Sequence, residues 1–280
     1  SKASLMRWLK VFDGTKESLM NKSHRPRKRH PKSHTDEEIR TIIRYIRRNP
    51  GIGLNELYSK LRLKAAYTRH YVSLYRLLKR MGYYKDRKVK VTKYKPKPYE
   101  TPLKVGEKMQ IDVKYVPSDC KSHPKLNDKN FYQYTIIDEA TRERFIYAYD
   151  EKSTMNSVDF LKRAIVYFGY IPKCIQSDNG SEFTYIKETK EIHPFDRLCN
   201  KLGIEHKTIK ARTPRHNGKV ERSHRNDNER FYKNLKFFSL EDLRKQMKAY
   251  LNRSNLILIS TLRWLNPVQK RRQLEEQGKI

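Results

Sequence analysis

At Gly106 the hydrophobic period of this chain changes. Before it, apolar residues recur three and four positions apart: Ile39, Ile42, Ile43 and Ile46, then Leu54, Leu57, Tyr58 and Leu61, then Tyr71, Leu74, Tyr75, Leu78 and Met81. After it, Met109, Ile111, Val113 and Tyr115 alternate with Gln110, Asp112 and Lys114. The first spacing lines one face of a helix and the second one face of a strand. The chain therefore reads as an all-α part followed by a sheet. Thr35 with Glu38 forms a capping box for the first of three short helices, Asn49-Pro50-Gly51 ends it, and Gly82 closes the third. Trp8 and Trp264 read as core anchors.

Beyond Gly106, Tyr132–Asp138 and Phe145–Asp150 read as strands joined into a hairpin through Glu139–Arg142. Val158, Leu161, Ile165 and Phe168 mark a helix ending at Gly169, and Lys173–Ser177 a fourth strand. Phe195, Leu198 and Leu202 mark a helix ended by Gly203, and Glu205–Lys210 a fifth strand. A loop, 211–216, leads to Asn217 as N-cap of a long helix through about Leu235. Ser239 and Asp242 open another helix, and Pro267 a last short one. The predicted class is α/β: a mixed five-stranded sheet with surrounding helices, preceded by helical units.

Charge narrows the partner. The 280 residues carry a net charge of +32, and residues 1–100 hold 28 Lys and Arg against 8 Asp and Glu. A field this positive calls for a polyanion, with nucleic acid as the usual one. Ser1–Lys10 resembles the last helix of a helix-turn-helix, and Ser1 as first residue reads as a chain cut from a longer one. His24–Lys32, with Arg25, Arg27, Lys28 and Arg29, is a proline-broken basic run suited to DNA phosphates or the minor groove. The third helix leaves Arg69, His70, Ser73, Arg76, Lys79 and Arg80 off its apolar stripe, as a recognition helix in the major groove would. The expected organisation is 1–34, a helix-turn-helix remnant with basic linker; 35–84, a helix-turn-helix; 85–105, a basic linker; 106–236, the sheet domain; and 237–280, a helical extension. Cys120, Cys174 and Cys199 are odd in number and widely spaced, against both a disulfide framework and a zinc finger. No apolar run spans a membrane and no signal peptide is visible.

Three carboxylates stand out by position: Asp112 inside the first strand, Asp178 at the mouth of the fourth, and Glu221 early on the helix after the basic loop. Neighbouring first and fourth strands would bring two of them together, with Glu221 facing them. Carboxylate oxygens suit a hard cation such as Mg²⁺, and two such ions serve an in-line displacement at phosphorus. Arg212, Arg215, His216, Lys219, Arg222 and Arg225 cluster around the third acid as a cradle for DNA. Glu182 reads as a surface acid, Asp138 as an ion-pair partner of Arg142 or Arg144, and Asp150 as the solvated end of its strand. His216 and His224 flank Glu221 as polar groups.

Gln-Ile-Asp112-Val, Ser-Asp178-Asn-Gly-Ser-Glu-Phe and Thr-Pro-Arg-His-Asn-Gly-Lys-Val-Glu221-Arg resemble the three-acid motif of DDE insertion-sequence transposases related to retroviral integrases. The resemblance covers roughly residues 105–235. It implies a ribonuclease H-like core with Asp112, Asp178 and Glu221 as catalytic metal ligands for two Mg²⁺ ions, Mn²⁺ substituting. It also implies cleavage and joining of double-stranded DNA, at terminal repeats and a target, by a dimer or higher homo-oligomer in a synaptic complex. A bacterial cytoplasmic, nucleoid-associated setting follows from the same resemblance, and no membrane is involved. Two departures stand out. The interval from Asp178 to Glu221 is longer than usual for that group, with the extra residues expected in Tyr185–His193. Asn228 stands where a basic residue is common, with Arg225 as substitute. Two other readings stay open: a DNA-binding regulator with a decayed catalytic core, and a nuclease that cuts without joining.

Overall fold

The computed structural model describes residues 1–20, 30–83, 99–185, 191–209 and 217–279. They fall into two compact units, Ser1–Arg44 and Tyr45–Ile280. In the first, helix α1 (Lys2–Val11) is capped by Ser1, whose hydroxyl accepts from the Ser4 amide at 3.3 Å. It buries none of its residues, and Trp8 is 62% exposed. Trp8 is thus no core anchor: a ten-residue amphipathic helix supplies an apolar stripe but nothing to cover it. Helix α2 (Asp36–Arg48) begins with the anticipated capping box, Thr35 Oγ1 accepting from the Glu38 amide at 3.2 Å and Glu38 Oε2 from the Thr35 amide at 2.7 Å. Three acids in its first turn and two arginines in its last complement the helix dipole.

In the second unit, α3 (Leu54–Lys64) and α4 (Tyr71–Arg80) bury Leu57, Tyr58 and Leu61 with Leu74, Leu77 and Leu78. The buried stripe of α4 is rotated from the predicted one: Leu77 points in, while Tyr75 and Met81 are exposed. Both stripes satisfy helical spacing, and leucine, which has no polar end, takes the dry position. Trp264 does anchor this pair. Its ring centroid lies 4.2 Å from that of Tyr71 and 5.1 Å from that of Tyr58. It projects from a tight turn in which Arg263 and Trp264 both take positive φ, 56° and 65°. The Ser59 hydroxyl also accepts from the Leu258 amide at 2.8 Å.

The sheet comprises β1 (Met109–Tyr115), β2 (Tyr132–Asp138), β3 (Arg144–Tyr149), β4 (Cys174–Ser177) and β5 (Glu205–Thr208), in the order β3-β2-β1-β4-β5. β2 runs antiparallel to β1 and β3, while β4 is parallel to β1 and β5. This mixed sheet with helices on its faces is the ribonuclease H-like fold. Gly106 has φ 69°, and a Cβ there would meet the Tyr170 ring at 2.8 Å, so the point where the hydrophobic period changes tolerates only glycine without strain.

Helix α5 (Thr154–Phe168), capped by Ser153 and stopped by left-handed Gly169, covers one face with α6 (Pro194–Lys201). Met109, Ile111, Tyr134, Phe160, Leu161, Ile175 and Phe195 form the core there. The other face packs against α7 (Gly218–Arg230) and α8 (Leu240–Ser254), where Phe131, Ile146 and Ala148 join Phe231, Phe237, Leu243 and Met247 in one core. That core takes residues from both sides of exposed Lys236, Leu235 and Phe237 among them. A last helix, α9 (Pro267–Glu276), opens with a capping box at Asn266. All three cysteines are buried and free.

Four details differ from expectation. β3 starts at Arg144 and β5 ends at Thr208. α7 stops at Arg230, and in the tighter turn that follows the Tyr232 hydroxyl donates to buried Gln133 Oε1. Asp138 is no partner of Arg142 or Arg144. Its carboxylate accepts from the amides of Gly106, Ala140 and Thr141 and from the Tyr170 hydroxyl, closing the β2–β3 turn. Arg144 pairs instead with Asp227 on α7, Nη2 to Oδ1 at 2.7 Å. Gln133 and Tyr250 donate to the same carboxylate at 2.8 Å each. Burial opposes the charge on Asp227, but Arg144 outweighs it and holds the carboxyl below its ordinary value. The network fixes α7 against the sheet.

Candidate active site between β1, β4 and α7

Alternation along β1 sends Met109 and Ile111 into the core and Gln110 and Asp112 toward α7. Gln110 Oε1 accepts from the amides of Lys219 and Val220 at 3.0 and 3.1 Å, clamping the first turn of α7 to the strand. Asn217 precedes that turn but does not cap it through its side chain. Its Nδ2 donates to the Ile111 carbonyl at 3.3 Å, and its Oδ1 accepts from Gln176 Nε2 at 3.2 Å. Three amide side chains therefore tie α7 to β1 and β4. Sequence reading saw only Asn217, and as a cap.

The pairing of Gln110 with Gln176, carried two residues on, sets Asp112 level with Asp178. Asp178 leaves the strand end and accepts from the Gly180 amide at 3.1 Å. A Cβ on Gly180 would lie 2.5 Å from Glu182 Oε2, so any larger residue in the turn would push the buried carboxylate aside. Glu182 is 2% exposed, which corrects its reading as a surface acid. The turn folds it back onto Lys152, whose Nζ is 3.0 Å from Oε1, while Oε2 has no hydrogen-bond partner among the described residues. Beneath Asp178, the Ser177 hydroxyl meets His206 Nε2 at 2.8 Å, and His206 Nδ1 meets Asp196. This resembles a nucleophile triad, but Ser177 is fully buried and serves as a support.

Glu221 is exposed in the first turn of α7, and His224 follows one turn later. His224 Nε2 lies 3.0 Å from Thr135 Oγ1 and its Nδ1 3.5 Å from Asp112 Oδ2. Burial pushes this imidazole down to about 3, so it is neutral. Asp112 goes the other way. Burial first, then the charge of Asp178, and behind it those of Glu221 and Glu182, push its carboxyl up to about 7. The three acids singled out in the sequence thus share one electrostatic field, with Glu182 as a fourth.

Among the described residues no three His, Cys, Asp or Glu side chains enclose an ion by themselves. The donor set nevertheless fits a hard divalent cation that takes the rest of its shell from water or phosphate. The charges of Asp178, Glu221 and Glu182 all act on the buried Asp112 carboxyl, and that repulsion is what such a cation would relieve.

The predicted cations divide. Arg222 and Arg225 are exposed on α7, whereas Lys219 pairs with buried Glu139. His70, Arg76, Lys79 and Arg80 are exposed on or next to α4, with Arg69 and Ser73 half-buried. Arg25, Arg27, Lys28, Arg29, Arg212, Arg215 and His216 lie outside the described residues, as does most of the 85–105 linker. So does part of the Tyr185–His193 interval. Lys114, which the sequence reading passed over, donates to Asn228 Oδ1 and so brings a cation from β1 to the helix position that lacks one. Burial pushes Lys114 down to about 8.

Two family models, each described as an integrase core domain, match residues 102–214 and 202–255. ORF3 of Spiroplasma virus SpV1-C74, named as an integrase, is 35% identical over 156 residues, 51% of this chain and 41% of that protein. The retrovirus-related Pol polyprotein from transposon RE2 of Arabidopsis thaliana is 31% identical over 116 residues, 40% of this chain and 7% of that protein. The chain spans less than half the length of these relatives. Among solved structures, the HTLV-2 integrase catalytic core domain in complex with magnesium matches at 17% identity and TM-score 0.45, covering 61% of this chain and 99% of that one. Similarity at that level adds nothing to what the strand order already defines. The strand order is that of a ribonuclease H-like core, and the two family matches together run from residue 102 to residue 255. Residues 102–255 are an integrase core domain of the DDE class, with a retroviral integrase-like core.

Proposed function

We propose that the chain is a DNA transposase that cuts at the terminal repeats of its element and joins the freed ends to target DNA. The observation that supports this best is the β1–β4 register that sets Asp112 level with Asp178, with burial and the charges of Asp178 and Glu221 raising the Asp112 carboxyl. Such a site attracts cations, and Asp112, Asp178 and Glu221 are the residues that would hold two Mg²⁺ ions, or Mn²⁺ in their place. When bound, the ions would activate a water or 3′-hydroxyl oxygen and neutralise the oxygen leaving phosphorus. The chain's own part is positioning, on which phosphoryl transfer mainly depends. Gln110, Gln176 and Asn217 hold the start of α7, and hence Glu221, against the strand ends. Neutral His224 sits beside Asp112 without adding a charge that would compete with the metal.

Double-stranded DNA would lie on the cationic surface, with α4 presenting His70, Arg76, Lys79 and Arg80 to the major groove and Arg225 and Lys114 following the phosphates near Glu221. Synapsis of two element ends calls for a homo-oligomer, and a DNA partner places the protein at the bacterial nucleoid. Among the described residues no helix is long and apolar enough to cross a membrane.

The test is Glu221→Gln, assayed on labelled element-end duplexes with Mg²⁺ and a target plasmid. Nicked and joined products are both expected to vanish while end binding stays near wild type. Mg²⁺-dependent cleavage surviving in that variant refutes the assignment. Nicking without joining in the unmodified protein would leave a nuclease instead.

A further inference from the structure

On α7, Glu221, Arg225 and Asn228 fall on one face. Lys219, Arg222, Asn226 and Arg230, spaced three, four and four apart, fall on the opposite one. That second face lines a cavity of about 400 Å³, whose wall also includes Arg142, Arg144 and Tyr250. Five cationic side chains line it and, among the described residues, no carboxylate does.

The cations are not all spent on neighbours. Lys219 is taken by Glu139, and Arg144 by Asp227 and Ser254 through Nη2. Arg144 Nη1, however, is buried with no acceptor among the described residues, on a side chain 7% exposed. Buried guanidinium nitrogens without an acceptor are rare in native proteins. Among the described residues the Arg142 guanidinium donates only to the Glu139 carbonyl, at 2.8 Å, and does so from a left-handed backbone, φ 63°. A non-glycine residue held there marks a local conformation kept at a cost. Burial holds its guanidinium down from its ordinary value, a bias an anion would relieve. Arg222 and Arg230 form no ion pair among the described residues. The first residues of α7 and α9, Gly218 and Pro267, also line the cavity and add the positive ends of two helix dipoles.

We propose that this cavity is a phosphate-group site, separate from the acids, in which the guanidiniums of Arg142, Arg222 and Arg230 hold the anion and buried Arg144 adds its charge from behind the wall. The phosphate comes either from a phosphodiester of bound DNA or from a free phosphate-bearing small molecule. The assignment does not rest on the transposase reading, because nothing in it uses the acids or a metal.

The test titrates the whole chain with tripolyphosphate by calorimetry, in EDTA so that no metal at the acids can capture it. Saturable binding with one site per chain is expected. Arg230→Ala and Arg222→Ala are each expected to weaken it about tenfold, the loss of one charge-assisted hydrogen bond. Arg225→Ala, on the opposite face, is expected to change it less than about twofold. Thermal melts without ligand show whether each variant is folded. No saturable binding by the wild-type protein in the millimolar range, or an equal loss in all three folded variants, overturns the proposal. A duplex of arbitrary sequence then identifies the source. If it displaces tripolyphosphate, and Arg230→Ala also lowers the salt dependence of duplex binding, the site takes a DNA phosphate. If duplex and tripolyphosphate bind together, it takes a free one.

Discussion

Replacing Asp112 with Asn keeps the shape of the side chain and removes its charge. In the native protein burial, then Asp178, then Glu221 and Glu182, push the Asp112 carboxyl from its ordinary 3.8 up to about 7. Between those values the native state keeps a proton that the unfolded chain has released. Stability at this site therefore falls as pH rises from about 4 to about 7 and stays low above that. The displacement corresponds to about 4 kcal/mol. A side chain 20% exposed lets water share the load, so roughly 1–3 kcal/mol is the expected effect. Metal-free Asp112→Asn is expected to be about 1–3 kcal/mol more stable than wild type at pH 8 and to lose that advantage near pH 4. Urea unfolding in EDTA at the two pH values, with the slopes compared, measures it. Adding Mg²⁺ at pH 8 is expected to stabilise the wild type and leave the variant unmoved. Equal stability of the two proteins at pH 8, or a gain of the same size at both pH values, refutes the reasoning. Asp112 would then carry no excess of negative charge around it.

Asp227→Ala leaves the Arg144 guanidinium buried without its acid and is expected to cost about 3–5 kcal/mol in urea unfolding, with part recovered when Arg144 is also replaced by Met. Gly180→Ala forces a methyl into the Glu182 carboxylate, which is expected to cost about 1–3 kcal/mol and to lower the Asp112 titration midpoint followed by NMR, as Glu182 moves away. Trp264→Ala removes the ring that Tyr58 and Tyr71 pack on. Faster tryptic cleavage within α3 and α4, with sites in the sheet domain unaffected, is the expected readout.

Much of this fold could be read where the local rule had no rival. The Thr35–Glu38 box, the alternation from Met109 to Tyr115 and the Ser-Asp-Asn-Gly turn each admit one conformation, and each is found. Reading failed where two answers satisfied the same rule. Tyr75 and Leu77 both suit a helical stripe, and only the partner helix chooses between them. Glu182 follows a turn and should face water by local rules, yet Lys152, thirty positions away, receives it. Asp138, Arg144 and Asp227 are all charged and all buried, and their partners are found across 32 and 94 positions, which no spacing reports. The places of Asp112, Asp178 and Glu221 on the strands and helix were legible because strand ends and a helix start are local features. Gln110, Gln176 and Lys114, which place or surround them, look like ordinary polar residues until the sheet is assembled.

The stack of Tyr58, Tyr71 and Trp264 joins α3 and α4 to the body that carries the acids. A recognition helix on a free tether could sample many registers along a duplex, but one bolted down in this way acts as a caliper of fixed opening. If α4 grips an element end, the scissile phosphate must then arrive at a set angle around the DNA axis as well as a set distance. Inserting one base pair between the gripped sequence and the cut site rotates that phosphate by about 35°. Cleavage should collapse with the first inserted pair and return when a full helical turn has been added.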